Sequence, residues 1–296
     1  MKTAFIILNY NGLKDTLECL DSIKRLKTDK SDLEVIVVDN NSSDGSHESL
    51  KKIPDIKLIQ NEENLGYTGG NNVGIKLALM DQANYLIIIN NDTILDPLFL
   101  ENILSATKEG DIISPKIYFE KGYEFHKERY AKSQLGKVIW YAGGQIDWQN
   151  ILGIHLGVDE IDNGQFSKSK EIDFATGACM LVKREVFEKM GFFDDKYFLY
   201  LEDMDFSVRA QRSGFRILFQ PKAVIWHKNA SSVGGSGSKL QDYYISRNRL
   251  LFATKYAKLR TKLAVIRQLI TSPDPIKRNA LVDFLTLKFG NGNYRI

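Results

Sequence analysis

The chain has 296 residues, 43% of them hydrophobic and 26% charged, with a net charge of +3, no internal repeat and no low-complexity run. This is globular composition with ample length for a buried core, in one large domain or two small ones. No stretch approaches the roughly 20 apolar residues that span a bilayer, and the N-terminal run Met1–Asn9 is too short for a signal peptide, so the chain reads as cytoplasmic or at most peripheral to a membrane.

The first hundred residues alternate strand and helix. Apolar runs at Thr3–Asn9, Glu34–Asp39, Ile56–Gln60 and Tyr85–Asn90 suit strands buried on both faces of a parallel sheet. Leu13–Leu26, Gly45–Ile53, Thr68–Asp81 and Pro97–Lys108 read as the intervening helices, with Asp44 and Asp96 as caps and Pro97 in a first turn. This alternation predicts a doubly wound α/β fold. Asp111–Tyr118 reads as a further strand, and Gly122–Lys170 as long loops with short strands. Glu171–Thr176 and Ala178–Val182 look extended, Arg184–Met190 and Glu202–Ser213 helical, and Arg216–Gln220 and Ala223–Trp226 like short strands. The run Ser231–Ser238 reads as a flexible Gly/Ser loop, after which a helical tail is broken by Ser272-Pro273-Asp274-Pro275. Residues 1–238 are thus expected to form the catalytic domain and 239–296 a basic helical extension. Cys19 and Cys179 form no CxxC and are expected to sit reduced in a packed interior.

The polar residues cluster where the first four strands end: Asn9-Tyr10-Asn11-Gly12, Asp39 to Gly45, Asn61 to Gly66, and Asn90-Asn91-Asp92-Thr93. In an open α/β sheet, ligands bind outside the carboxyl ends of the strands. Turns use the same residue types, but four such ends on one edge point to a site for a polar ligand. The turn after the first strand lacks G-x-G-x-x-G, which disfavours a dinucleotide oxidoreductase, and the chain has no Walker A sequence. Asp39 suits hydrogen bonds to a base or ribose. Gly66, Gly69 and Gly70 would let backbone approach a ligand, with a helix N-terminus facing phosphate. Asp92 offers a hard oxygen ligand for Mg²⁺ or Mn²⁺ bridging a diphosphate.

In order along the chain, Asn9-Tyr10-Asn11, Val37 to Gly45, Asn64 to Asn72, Asn90-Asn91-Asp92-Thr93, Thr176-Gly177-Ala178 and Glu202-Asp203-Met204-Asp205 resemble the family 2 glycosyltransferases of GT-A fold. The resemblance covers roughly residues 3–250 and is strongest to the rhamnosyltransferase-like branch of cell-surface polysaccharide assembly. It implies an inverting, metal-dependent transfer from a nucleoside-diphosphate sugar, dTDP-rhamnose or a UDP-sugar, to a glycan or polyprenyl-diphosphate-linked acceptor. By position it implies Asp203 as catalytic base. It places Asn9, Tyr10, Asn11, Asp39, Asn64, Gly66, Gly70, Asn91, Asp92, Gly177 and Ala178 around the donor. Asp92 and His227 would hold the metal, although Asn90 replaces the first carboxylate of the Asp-x-Asp motif. No Gln-x-x-Arg-Trp motif is present, so one sugar per binding event is expected.

Other readings stand beside these. Glu202-Asp203-Met204-Asp205 also compensates a helix dipole, with Asp205 the structural member and Glu202 orienting the acceptor. His227 is either a metal ligand or an ordinary buried residue. Trp140 and Trp148 are either acceptor platforms or core. Arg247 either closes over the diphosphate or lies on a solvated basic face. Lys239–Ile296 carries 12 Lys/Arg against 3 Asp. With Tyr256, Leu259, Leu263, Ile266 and Ile270 at helical spacing, this tail is a candidate for a membrane surface, for the catalytic domain itself or for a homodimer partner. No nucleic-acid motif is present. A sugar nucleotidyltransferase and a non-catalytic sugar-nucleotide-binding module are the rival functions; the first would release pyrophosphate, and the second would bind donor without turning it over.

Overall fold

The computed structural model describes residues 1–27, 32–229 and 238–293. Its first half is β1 (Thr3–Asn9), α1 (Leu13–Lys24), β2 (Leu33–Asp39), α2 (Ser46–Leu50), β3 (Lys57–Gln60), α3 (Gly66–Met80) and β4 (Tyr85–Asn90). Short β5 (Thr93–Leu95), α4 (Phe99–Ser105) and β6 (Ile112–Phe119) follow. The apolar runs become strands because they lie in the middle of a sheet: Phe5, Ile6, Ile7, Val37, Val38, Ile87 and Ile88 are inaccessible to solvent. In α1, Cys19, Leu20 and Ile23 form the buried face, the 3.6-residue period seen in the sequence. Pro97 lies outside α4. Asp96 accepts a hydrogen bond from the Leu98 amide at 2.8 Å and closes a turn ahead of that helix.

The second half is β7 (Ile139–Tyr141), β8 (Gly144–Asp147), β9 (Leu152–His155), β10 (Lys170–Glu171), β11 (Cys179–Lys183), α5 (Arg184–Met190), α6 (Glu202–Arg212), β12 (Ile217–His227), α7 (Lys239–Tyr256), α8 (Leu259–Ile270) and α9 (Pro275–Leu285). The main sheet runs β10-β12-β6-β11-β4-β1-β2-β3, with β5 paired to β12 and β7 to β6. The β4-β1-β2-β3 half is parallel. Beyond β4 the sheet is mixed, because β11 runs antiparallel to both neighbours. Two short strands were expected after Gly214; the structure has one, β12. Its register against β6 slips between Gln220 and Val224, around Pro221, which has no N–H for the ladder.

The helical tail is packed into the body. Leu250, Phe252, Val265, Leu269 and Leu281 belong to the same apolar cluster as the sheet strands. Both cysteines are buried and free. Among the described residues no helix is long and apolar enough to cross a membrane. The expected Gly/Ser loop lies outside the described residues except for Ser238, whose hydroxyl caps α7 by accepting from the Gln241 amide at 3.3 Å.

Candidate active site

Asp92 and His227 meet through strand pairing. β5 and β12 are antiparallel with His227 opposite Thr93, which sets the imidazole beside the preceding residue, Asp92. His227 Nε2 and Asp92 Oδ1 are 3.0 Å apart and both side chains are buried. Apart from each other, neither atom has a polar partner. A buried carboxylate oxygen and a buried imidazole nitrogen left in this state are costly unless something else binds them. The carboxylate suits Mg²⁺ or Mn²⁺, which complete their coordination with water and phosphate oxygens, and the imidazole favours Mn²⁺ over the harder Mg²⁺. Among the described residues no group of three or more His, Cys, Asp or Glu side chains is arranged around a metal, so the chain itself offers this pair. Burial pushes the Asp92 carboxyl up, but His227 and Lys228 beside it outweigh that and hold it below the usual carboxylate range. Asp92 is therefore ionised. Lys228 reaches the other way, to Asp15 at 2.6 Å and Glu18 at 2.5 Å, and ties the end of β12 to α1.

Trp140 packs edge-on between His155 and His227, with ring centroids 4.5 and 4.6 Å away, and is only partly covered. Its indole nitrogen donates to Asn229 Oδ1 at 3.2 Å. Burial pushes His155 down to about 4, so it is neutral near pH 7. Trp140 thus buttresses the Asp92–His227 pair. Trp148 is exposed and lies instead near Phe252 of α7.

Asp203 stands at the first turn of α6. Its Oδ2 accepts from the Gly177 amide at 2.9 Å and its Oδ1 from the Met204 amide at 2.8 Å. Burial nevertheless raises its pKa above the ordinary value, the direction a base needs to work near neutrality. The next residue along, Ala178, accepts from the Asn90 amide at 3.0 Å. Residues 177 and 178 therefore join Asp203 to the end of β4, two residues before Asp92. Glu202 is buried with Oε2 unpartnered, and burial and the Asp203 charge push its pKa well up. Asp205 is the structural member of the cluster. It accepts from Tyr197 at 3.1 Å, Arg209 at 2.8 Å, Lys255 at 2.6 Å and Tyr256 at 2.7 Å.

Four expectations change in the folded chain. Asp39 is wholly buried and not displayed to a base: Asn9 Nδ2 donates to its Oδ1 at 2.8 Å and the Ser42 amide to its Oδ2 at 3.3 Å. The N-terminus of α3 faces protein, because the Tyr67 and Thr68 amides donate to the Phe198 carbonyl at 2.7 and 3.2 Å. Gly66 and Gly70 make room for protein too: a Cβ on Gly66 would lie 2.6 Å from the Phe198 carbonyl, and one on Gly70 would overlap Leu8 of β1. Arg247 is wholly buried and its guanidinium is spent on protein oxygens, so it is neither a solvated residue nor free for a diphosphate.

The remaining residues of the strand ends are knitted together. Asn9 Oδ1 accepts from Thr16, which in turn accepts from Asn91 at 3.0 Å. Asn11 accepts from the Ser43 amide at 2.7 Å, and Asn64 from Asn40 at 2.8 Å and the Gly66 amide at 2.9 Å. Tyr10 is partly exposed and Asn11 exposed on this edge. Two shallow depressions lie here, one from Asn11 to Leu17 with Asp44, the other at Asn61, Glu62, Glu63 and Leu65; neither includes Asp92 or Asp203. Tyr67 is a residue the motif reading left without a role. Its hydroxyl donates to the Gly177 carbonyl at 2.5 Å, and burial beside Glu202 and Asp203 keeps it protonated. Asn248 and Lys228 carried no sequence signal beyond polarity.

The profile described as Glycosyl transferase family 2 matches residues 4–191. A hexosyltransferase of low-salt glycan biosynthesis from Haloferax volcanii is 27% identical over 252 residues, covering 84% of this chain and 74% of that protein. An N-acetylglucosaminyl-diphospho-decaprenol L-rhamnosyltransferase from Mycobacterium tuberculosis is 24% identical over 214 residues, covering 68% of each. Among solved structures, a mannosyltransferase from Pyrobaculum calidifontis in complex with GDP-Man and Mn²⁺ superposes with a TM-score of 0.57 at 16% identity, covering 97% of this chain and 80% of that one. The fold is GT-A with added C-terminal helices. The profile match covers more than half the chain and the relatives are named glycosyltransferases, which leaves one assignment: the chain belongs to glycosyl transferase family 2 and is a glycosyltransferase.

Proposed function

We propose that this enzyme transfers one sugar per encounter, with inversion, from a nucleoside-diphosphate sugar to a glycan or polyprenyl-diphosphate-linked acceptor. The observation that carries the reading is the link through residues 177 and 178, which puts Asp203 next to the strand end bearing Asp92. Asp203 takes the proton from the acceptor hydroxyl as that oxygen attacks the anomeric carbon. Attack from the side opposite the leaving nucleoside diphosphate inverts the configuration. Tyr67 and the Gly177 amide fix the position of the base. Glu202, beside it, holds its proton more tightly than a free carboxyl and is placed to orient a sugar hydroxyl. Asp92 and His227 would hold a cation, Mg²⁺ or Mn²⁺, which would supply charge neutralisation for the leaving diphosphate. The Mn²⁺ in the mannosyltransferase complex supports a divalent ion, and the name of the mycobacterial relative supports a lipid-linked acceptor and a rhamnosyl donor. Such an acceptor lies at a membrane, where α8 offers a contact surface: Leu259, Leu263 and Ile270 are exposed on one stripe beside Arg260 and Arg267.

The test is Asp203→Asn. Removing a general base is expected to cut kcat by about 10²–10⁴-fold, while calorimetry shows donor affinity retained. Near-normal turnover would remove Asp203 from the role. In parallel, Asp92→Ala should abolish the metal's enhancement of nucleotide binding, and NMR of the product should show the inverted anomer. A thermal-shift panel of UDP-, dTDP- and GDP-sugars with each metal identifies the donor.

A further inference from the structure

We propose that Arg247 and Asn248 of α7 are positioning residues for the base. They hold the strained segment that presents Asp203, so the C-terminal helices are part of the catalytic apparatus. The proposal rests on the reading of Asp203 as base.

Phe198, Tyr200 and Leu201, immediately before Glu202, have positive φ angles of 64°, 70° and 67°. Bulky residues rarely adopt this conformation, and such strain persists only where the surroundings impose it. Here every backbone carbonyl from residue 196 to 200 meets a donor from another element. Arg247 Nη2 donates to the Lys196 and Tyr197 carbonyls at 3.2 and 3.0 Å. Asn248 Nδ2 lies 2.9 Å from the Tyr197 carbonyl and 2.8 Å from those of Leu199 and Tyr200. The fifth, on Phe198, accepts from the first amides of α3. Arg247 Nε donates to Asn248 Oδ1 at 3.1 Å, which turns the amide nitrogen toward the segment. Its Nη1 donates to the Gly290 carbonyl at 2.8 Å, and the guanidinium lies over the rings of Tyr243 and Tyr244. Tyr244 stacks on Phe198 with centroids 5.3 Å apart. Both polar side chains are inaccessible to solvent. An apolar pair in their place would leave these carbonyls without donors, so Arg247 and Asn248 are what let the strained segment keep its shape. They are explained if the segment must keep one shape so that Asp203 points at the acceptor.

The experiment uses the full chain with Asn248→Ala, Arg247→Lys and Asp203→Asn, singly and combined. Asn248→Ala should leave donor affinity unchanged and lower kcat by about 10²-fold, the effect of misplacing a catalytic group by roughly 1 Å. Arg247→Lys, which keeps the cation but loses the fork, should do the same to a smaller extent. Trypsin should cut after the exposed Lys196 faster in both, with far-UV circular dichroism unchanged. Adding Asn248→Ala to Asp203→Asn should cost nothing further, because the clamp acts through the base. Normal kcat in both single variants, a further loss in the double variant, or failure of both to fold would each overturn the proposal. Near-normal turnover of Asp203→Asn alone would instead sink the base. A dead Asp203→Asn beside a normal Asn248→Ala would sink only the clamp.

Discussion

Glu202 has one carboxylate oxygen buried without a partner next to Asp203, and both carboxyls hold their protons more tightly than in the unfolded chain. A group whose folded pKa is raised contributes stability that is present below its unfolded pKa, about 4.3 for Glu. That contribution is lost as the pH rises through the folded value. Glu202→Gln is neutral at every pH and keeps the contribution. Its Tm should therefore exceed that of the parent at pH 8, with the difference shrinking toward pH 4. A lower Tm than the parent at pH 8 would mean that the ionised Glu202 is stabilised by its surroundings. The chemistry of the site thus carries a cost in stability at neutral pH, which the Arg247–Asn248 clamp and the Asp205 network help to offset.

At the scale of elements, α3 illustrates how a motif can mislead. Its glycines lie next to the strand ends where a ligand would be expected. In the fold, Gly70 is packed on Leu8 of β1 so closely that even one methyl group has no room. Gly70→Ala must displace the end of the Leu8 side chain and should destabilise the protein by about 1–3 kcal/mol, as overpacking of a tight core does. Urea unfolding measures this, and an unchanged midpoint would show that Leu8 can give way. The strained segment at residues 198–201 is the other element of consequence. Its three left-handed residues cost on the order of 1–3 kcal/mol each, and the bonds from α3 and α7 keep it in place.

For the whole molecule, the C-terminal helices face two ways. Val265 and Leu269 of α8 join the core, while Leu259, Leu263 and Ile270 are 71%, 58% and 61% exposed. Arg260 and Arg267 run beside this stripe, which fits an anionic lipid surface by charge as well as by polarity. The protein should co-sediment with vesicles containing phosphatidylglycerol, less with pure phosphatidylcholine, and less at high salt. Leu263→Asp should weaken this without changing turnover of a soluble acceptor analogue. Absence of vesicle binding, or a dimer in light scattering that Leu263→Asp dissolves, would reassign the stripe to a second copy of the chain.

Local patterns were legible in the sequence. Thr3–Asn9 and Tyr85–Asn90 emerge as strands with the expected bounds, because a strand buried on both faces writes a continuous apolar run. The ordered motifs sufficed to indicate the family, and the acidic cluster was legible as the start of a helix, α6. Pairings between distant segments were not legible. The resemblance implied His227 as a metal ligand, but the residues themselves left that open against an ordinary buried histidine; the β5–β12 register places it against Asp92. Arg247 looked like a solvated cation or a phosphate ligand, and only the packing of α7 shows it buried against the carbonyls before Glu202. The periodicity of apolar residues is local and survives in the sequence. Which buried polar group satisfies which other is decided by contacts between remote segments, and these exist only once the chain has folded.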